Sequence, residues 1–195
     1  MERSRDSDAT DEALVEAAQG GDSGALELLL LRHESRVLRL LRLLGVPEAE
    51  REDVAQEVFV RVFRHLDGYR SGQSFRGWIY RIVVNASHDQ RRRMRRRRRR
   101  EADWQVDHEG SVDPGPGPAE ELDRREQRRR LERLLSELSE RERAVFVLCE
   151  LEGLESGKVA RSLAISTVTV RRHLGRARRR LERLLRARGE KTGER

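Results

Sequence analysis

An all-α chain of two small helical domains joined by a flexible linker is the fold class that the sequence predicts, on three observations. Apolar residues recur at spacings of three and four through most of the chain, the period of a helix with one buried face. Leu, Val and Ala supply these positions, while aromatics make up 4% of 195 residues, which suits small helical cores better than one large one. Composition then breaks sharply in the middle. Nine of the ten residues 91–100 are Arg, and residues 101–121 carry seven acids and no Lys or Arg, with Pro114, Pro116 and Pro118 interleaved with glycines. A proline at every second position forbids helix, and the stretch holds too few apolar groups to fold alone. The chain therefore divides into a disordered N-terminus (1–10), a first domain (11–100), an acidic Pro/Gly linker (101–118), a second domain (119–189) and a disordered tail (190–195).

In the first domain, Leu14, Val15 and Ala18 mark a helix that Gly20 and Gly21 stop, and Asp22 or Ser23 caps the next. That second helix carries Leu26, Leu29, Leu30, Val37, Leu40, Leu41 and Leu44 before Gly45. Pro47 opens a third, with Val54, Val58, Phe59, Val62, Phe63 and Leu66 inward. After a polar break, a fourth runs from about Phe75 with Trp78, Ile79, Ile82, Val83 and Ala86 inward, and continues into the Arg run. Four helices with short connections make a bundle.

The second domain reads as helices over residues 119–138 and 139–151, the latter opened by Ser139 and Glu142 at capping-box spacing. Ser156 caps a short helix through Leu163, Ala164, Ile165 and Ser166 form a turn, and a long basic helix spans residues 167–187. A short helix, a tight turn ending in a capping residue and a basic helix make the helix-turn-helix pattern.

Charge narrows the partners. The 42 Lys and Arg exceed the 35 Asp and Glu for a net charge of +7, and Lys occurs only at Lys158 and Lys191. Arg suits phosphate and guanine, so nucleic acid is the first partner to consider and an anionic membrane surface the second. No apolar run approaches the roughly 20 residues that span a bilayer. The polar, acidic start is no signal peptide. A cytoplasmic chain without membrane insertion is expected. Cys149 is the one cysteine and lies in an apolar run, which suits a small buried hydrophobe. The five histidines lack metal-ligand spacing and no glycine loop cradles a phosphate, so no catalytic residue, metal, cofactor or enzymatic activity is expected.

Three surfaces stand out. On the last helix Val170, Leu174, Ala177, Leu181 and Leu184 form one stripe, with Val168, Arg172, Gly175, Arg176 and Arg179 opposite and no acid until Glu182. With Thr167, Thr169 and Arg171 at its start, this face fits the major groove. On the third helix Asp53, Gln56, Glu57 and Val60 share an outward face, which suits either solvent or a basic protein partner. Between them in sequence, Tyr69, Phe75, Trp78 and Tyr80 gather half of all aromatics beside Arg70, Arg76 and Arg81, the mixture that stacks unpaired bases. Phe75 and Trp78 also fit a core, which leaves Tyr69, Asn85 and His88 as the contact candidates.

These residues also carry a family resemblance. The run Asp53-Val54-Ala55-Gln56-Glu57-Val58-Phe59-Val60-Arg61-Val62-Phe63-Arg64, followed by Ser74-Phe75-Arg76-Gly77-Trp78-Ile79-Tyr80-Arg81-Ile82-Val83-Val84-Asn85, resembles region two of bacterial RNA polymerase sigma factors of the extracytoplasmic-function group. Residues 138–146 and 169–178 resemble their region four, in the expected order around a linker. Lys158 stands where the family usually has an acid.

The resemblance implies an alternative sigma factor. Core RNA polymerase would be bound through its clamp coiled coil at Asp53, Gln56, Glu57 and Val60, and through its flap. The minus-ten element would meet Tyr69, Arg70, Ser74, Arg81, Asn85, His88, Arg91 and Arg92. The minus-thirty-five element would meet Thr167, Thr169, Arg171, Arg172, Arg176 and Arg179. An anti-sigma factor is the implied inhibitory partner, and the acidic linker would run near the polymerase active site. Two other classes compete: a helix-turn-helix regulator that never engages core polymerase, and an Arg-rich non-specific nucleic-acid binder. Stoichiometric assembly with core enzyme separates them.

Overall fold

Thr10 opens the first helix by accepting a hydrogen bond from Ala13 N at 3.2 Å, and α1 (Asp11–Gln19) then ends at Gly20. A computed structural model describes residues 9–70, 74–102 and 119–187, so residues 1–8 of the N-terminus expected to be disordered over 1–10, most of the linker and the tail lie outside the described residues, while Thr10 is placed as a helix cap. Of the two candidate caps for α2 (Ser23–Leu43), Asp22 does the work, its Oδ1 accepting from Gly24 N and Ala25 N at 2.9 and 3.0 Å. Gly45 turns the chain with φ at +84°, a conformation that favours glycine. Pro47 precedes a single 3-10 turn, Glu48–Glu50, which feeds α3 (Arg51–His65). The fourth helix, α4 (Phe75–Ala102), carries through the Arg run and two residues past the expected boundary.

The core of this bundle is aliphatic as expected, with Leu29, Leu40, Leu41, Val37 and Val58 essentially inaccessible. Phe75 and Tyr80 are its large rings. His33 is buried among them, with Nε2 2.8 Å from Asp11 Oδ2 and its ring edge on Phe75 at 5.2 Å. Burial pulls its pKa below the ordinary value of 6.5, against the pull of Asp11.

In the second domain, α5 (Ala119–Ser136) precedes α6 (Glu140–Phe146), and the capping box of Ser139 and Glu142 forms in both directions. The single helix expected over residues 139–151 is interrupted: Val147–Leu151 make one π-helical turn, closed by Glu152 N donating to Val147 O at 2.9 Å. The next helix, α7 (Ser156–Leu163), has the expected span, but Glu155 occupies the cap position without a side-chain bond and Ser156 is already helical. Ala164 then adopts left-handed φ 52°, and Ser166 caps α8 (Thr167–Ala187) through Thr169 N at 3.1 Å. Cys149 is half-buried, and burial pushes its thiol pKa up. No strand occurs, and no helix is long and apolar enough to cross a membrane, among the described residues.

The two domains lie against each other. Packing joins α4 to α7 and α2 to α5. Between α7 and α4, Ser162 Oγ donates to Gly77 O at 2.9 Å. Two guanidiniums also converge on the C-terminal end of α2, where helix carbonyls lack partners. Arg91 from α4 donates to Leu44 O and Arg143 from α6 to Leu43 O. A Cβ at Gly45 would lie 2.6 Å from Arg91 Nη2 and closer still to Arg143. Burial, and then the nearby Arg91 charge, lower the Arg143 pKa to about 10.

Candidate polymerase and nucleic-acid interfaces

Advancing about 100° per residue, α3 turns Asp53, Gln56 and Val60 to one side and Val54, Val58 and Val62 to the core. Asp53 and Gln56 are exposed, and Val60 is 46% exposed. Phe63, expected in the core, is instead 65% exposed. It falls only about 20° from Gln56 on the helix wheel, so its angle was readable although its chemistry suggested burial. Glu57 is half-buried and already engaged. Arg93 Nη1 and Nη2 donate to its two oxygens at 3.0 and 2.9 Å, and Arg61 donates at 2.7 Å. The Arg93 hydrogen bonds outweigh partial burial and hold the Glu57 carboxyl below its ordinary range. The face is therefore an apolar pair, Val60 and Phe63, flanked by an exposed acid and amide.

On α4, Trp78, Arg81, Asn85, His88 and Arg92 fall on one stripe below Ser74. Ser74, Arg81, Asn85 and Arg92 are exposed, as is Arg70 in the preceding loop. Trp78 and His88 are half-buried, and burial lowers the His88 pKa. Two expected contacts point into the fold. Tyr69 is 6% exposed, with ring centroids 5.8 Å from Phe75 and 5.6 Å from Trp78, because its ring completes the aromatic end of the bundle. Arg91 is half-buried at the end of α2 and faces Glu140 at 3.9 Å, so the domain contact takes its charge.

On α8 the apolar stripe packs inward and Arg171, Arg172, Arg176 and Arg179 all stand exposed. None of the four makes an ion pair with an acid among the described residues. Their neighbours on the flank do: Arg178 pairs with Glu150 at 2.6 Å and Arg180 with Glu137 at 4.0 Å. Thr167 and Thr169 are half-buried, and the Thr169 hydroxyl lies 2.8 Å from Ser166 Oγ, so it serves the helix start. Lys158 and Arg161 of α7 face Arg81 of α4 across a cleft of about 540 Å³ between the domains.

Residues 29–99 match the Sigma-70 region 2 family and residues 128–181 match Sigma-70, region 4. The ECF RNA polymerase sigma-E factor of Escherichia coli K12 is 32% identical over 174 residues, covering 87% of this chain and 91% of that protein. The chain belongs to the extracytoplasmic-function sigma factors. This ECF sigma factor is also similar to the RNA polymerase sigma factor NccH of Alcaligenes xylosoxydans xylosoxydans, 29% identical with 91% and 95% of the two chains covered. Among solved structures, CnrH in complex with the cytosolic domain of CnrY matches with a TM-score of 0.69 and 27% identity, covering 91% of this chain and 97% of that one. An alternative sigma factor directs transcription initiation. The first match spans most of α2 through α4 and the second most of α5 through α8, and the three exposed faces divide between them.

Proposed function

We propose that the faces described above divide the work of a sigma factor among named residues. Core polymerase takes the α3 face, where Val60 and Phe63 supply an apolar contact and Asp53 and Gln56 the polar rim; the clamp coiled coil is its partner and the flap holds the second domain. Glu57 acts by holding Arg61 and Arg93 in place. The minus-ten element takes the α4 stripe of Ser74, Arg81, Asn85 and Arg92, with Arg70 and the Trp78 ring beside it. The minus-thirty-five element takes the start of α8, with Arg171, Arg172 and Arg176 over the groove and Arg179 on phosphate. The work is cytoplasmic and calls for no catalytic group, and a protein inhibitor is the expected regulator, as the cytosolic domain of CnrY accompanies CnrH.

One observation carries this reading. The chain exposes an apolar and acidic face on α3 and an unpaired arginine face on α8, and a DNA-only regulator has no use for the first. Charge reversal at a close interfacial pair typically costs several kcal/mol. Asp53→Arg with Gln56→Ala should therefore weaken binding to core polymerase in a titration, with circular dichroism unchanged because both side chains face solvent. Phe63→Ser should do the same. Unaltered affinity in both variants would overturn the assignment of this face.

A further inference from the structure

The cleft between α4 and α7 joins an aromatic ring to cations that the fold leaves without partners. Its volume of about 540 Å³ lies within the range of about 300–1,000 Å³ that small-ligand sites occupy. Trp78 and Arg81 of α4 line one wall, and Lys158 and Arg161 of α7 line the other. Each pair is three residues apart, so each helix presents two neighbouring side chains on one face.

Arg81, Lys158 and Arg161 are exposed, and none of them makes an ion pair or hydrogen bond to an acid among the described residues. Glu12 is the one acid among the lining residues, so three cations leave the cleft positive. A concave wall lined by one sign of charge gathers ions of the other. Trp78 adds a second kind of contact. Its ring is held by Tyr69 and Phe75, with centroids 5.6 and 5.5 Å away, and it also lines the cleft. A ring already fixed in place stacks a base at little ordering cost. Inorganic phosphate would use the cations and leave the ring idle, whereas a nucleotide uses both.

We propose that this cleft binds a nucleoside diphosphate, with the base on Trp78, the phosphates between Arg81 on one wall and Lys158 and Arg161 on the other, and Glu12 accepting from a ribose hydroxyl. Two phosphates let the ligand be met from both walls at once. The site overlaps the minus-ten stripe at Trp78 and Arg81, so the ligand competes with the promoter strand; in that respect the proposal rests on the sigma-factor reading above.

Fluorescence titration of the full chain tests the site. Trp104→Phe leaves Trp78 as the only tryptophan. Adenosine diphosphate (ADP) should quench its emission saturably, and Lys158→Gln with Arg161→Gln should raise the apparent dissociation constant at least about tenfold. Adenosine and pyrophosphate, competed against ADP at matched ionic strength, should each bind at least about tenfold more weakly, since each keeps half of the contacts. Absence of saturable quenching, a variant that binds as its parent does, or pyrophosphate as tight as ADP overturns the proposal. Competition is read in open-complex formation with core enzyme in the absence of nucleoside triphosphates. Saturating ADP should lower the wild-type yield at least about fivefold. The Lys158→Gln, Arg161→Gln variant should match wild type without ADP and keep its yield with it, and equal inhibition of both proteins overturns the competition. If the wild-type chain forms no open complex even without ADP, the sigma-factor reading fails, and the titration still decides the site.

Discussion

Two helices of this protein are built on arginine and use it in opposite ways. Along α4 several guanidiniums reach groups within the fold: Arg91 the Leu44 carbonyl, Arg93 the Glu57 carboxylate and Arg95 Glu140 at 2.7 Å. Along α8 the residues Arg171, Arg172, Arg176 and Arg179 stand exposed, with no ion pair to an acid among the described residues. The residue type is the same, and what differs is whether a carbonyl or carboxylate from another element lies within reach. An arginine that already spends its hydrogen bonds within the fold has few left for a phosphate.

The largest expected effect lies at the domain contact. Arg143→Ala removes a buried guanidinium that caps α2, and hydrogen bonds to charged groups are worth about 1.5–3 kcal/mol, so a loss of about 2–3 kcal/mol is expected in urea unfolding. A loss below about 0.5 kcal/mol would erase the distinction drawn here. Arg172→Ala should behave in the opposite manner. Its stability should stay within about 0.5 kcal/mol of wild type, while preference at one or two positions of the minus-thirty-five element relaxes by about 1–3 kcal/mol in a promoter-library selection. Unaltered upstream preference would show that Arg172 does not read bases.

A finer cut falls within α4 itself. Arg98 and Arg99 are exposed, and each phosphate contact adds about 0.9 to the salt slope. Arg98→Gln with Arg99→Gln should flatten that slope for every promoter alike, whereas Arg91→Gln should lower stability first. Affinity titrations over a salt series compare them directly.

The smallest effect compares buried histidines across the two domains. His33, His88 and His173 all have pKa values lowered from 6.5, chiefly by burial. A base whose folded pKa is depressed binds fewer protons folded than unfolded, so stability is intact above pH 6.5 and falls as pH drops below it. Melting temperature should therefore decline between pH 7.5 and 5.5. The buried Nδ1 atoms of His33 and His173 lack hydrogen-bond partners, and His33 is the more deeply buried. His33→Leu should thus remove more of that decline than His173→Leu, and equal declines would contradict the ranking.

Much of the fold was legible because it is local. The period of apolar residues located the helices, Asp22 and Ser139 cap where short-range rules put them, and α7 has the expected span. The arginine face of α8 was readable for the same reason, since it depends on angles along one helix and the absence of nearby acids. The π-helical turn at Val147–Leu151 was not, because it ends the helix and leaves no later turn in which the phase shift of about 100° from one inserted residue would show.

What tertiary structure alone decided are the residues whose surroundings lie beyond the reach of helical period and capping. Tyr69 has the chemistry of a base-stacking ring, yet Phe75 and Trp78 enclose it. Phe63 has the chemistry of a core residue, yet no element among the described residues covers it. Arg91 belongs to a run that reads as one phosphate-binding tract, and it caps a helix 47 residues away. Glu152 gave no signal among the 35 acids, and it meets Tyr80 across 72 residues of sequence. Helical period and capping depend on neighbours within four residues, which the sequence displays. Burial and hydrogen-bond partnership depend on which surfaces meet: Tyr69 is enclosed within the first domain, while Glu152 is placed by the contact of one domain with the other.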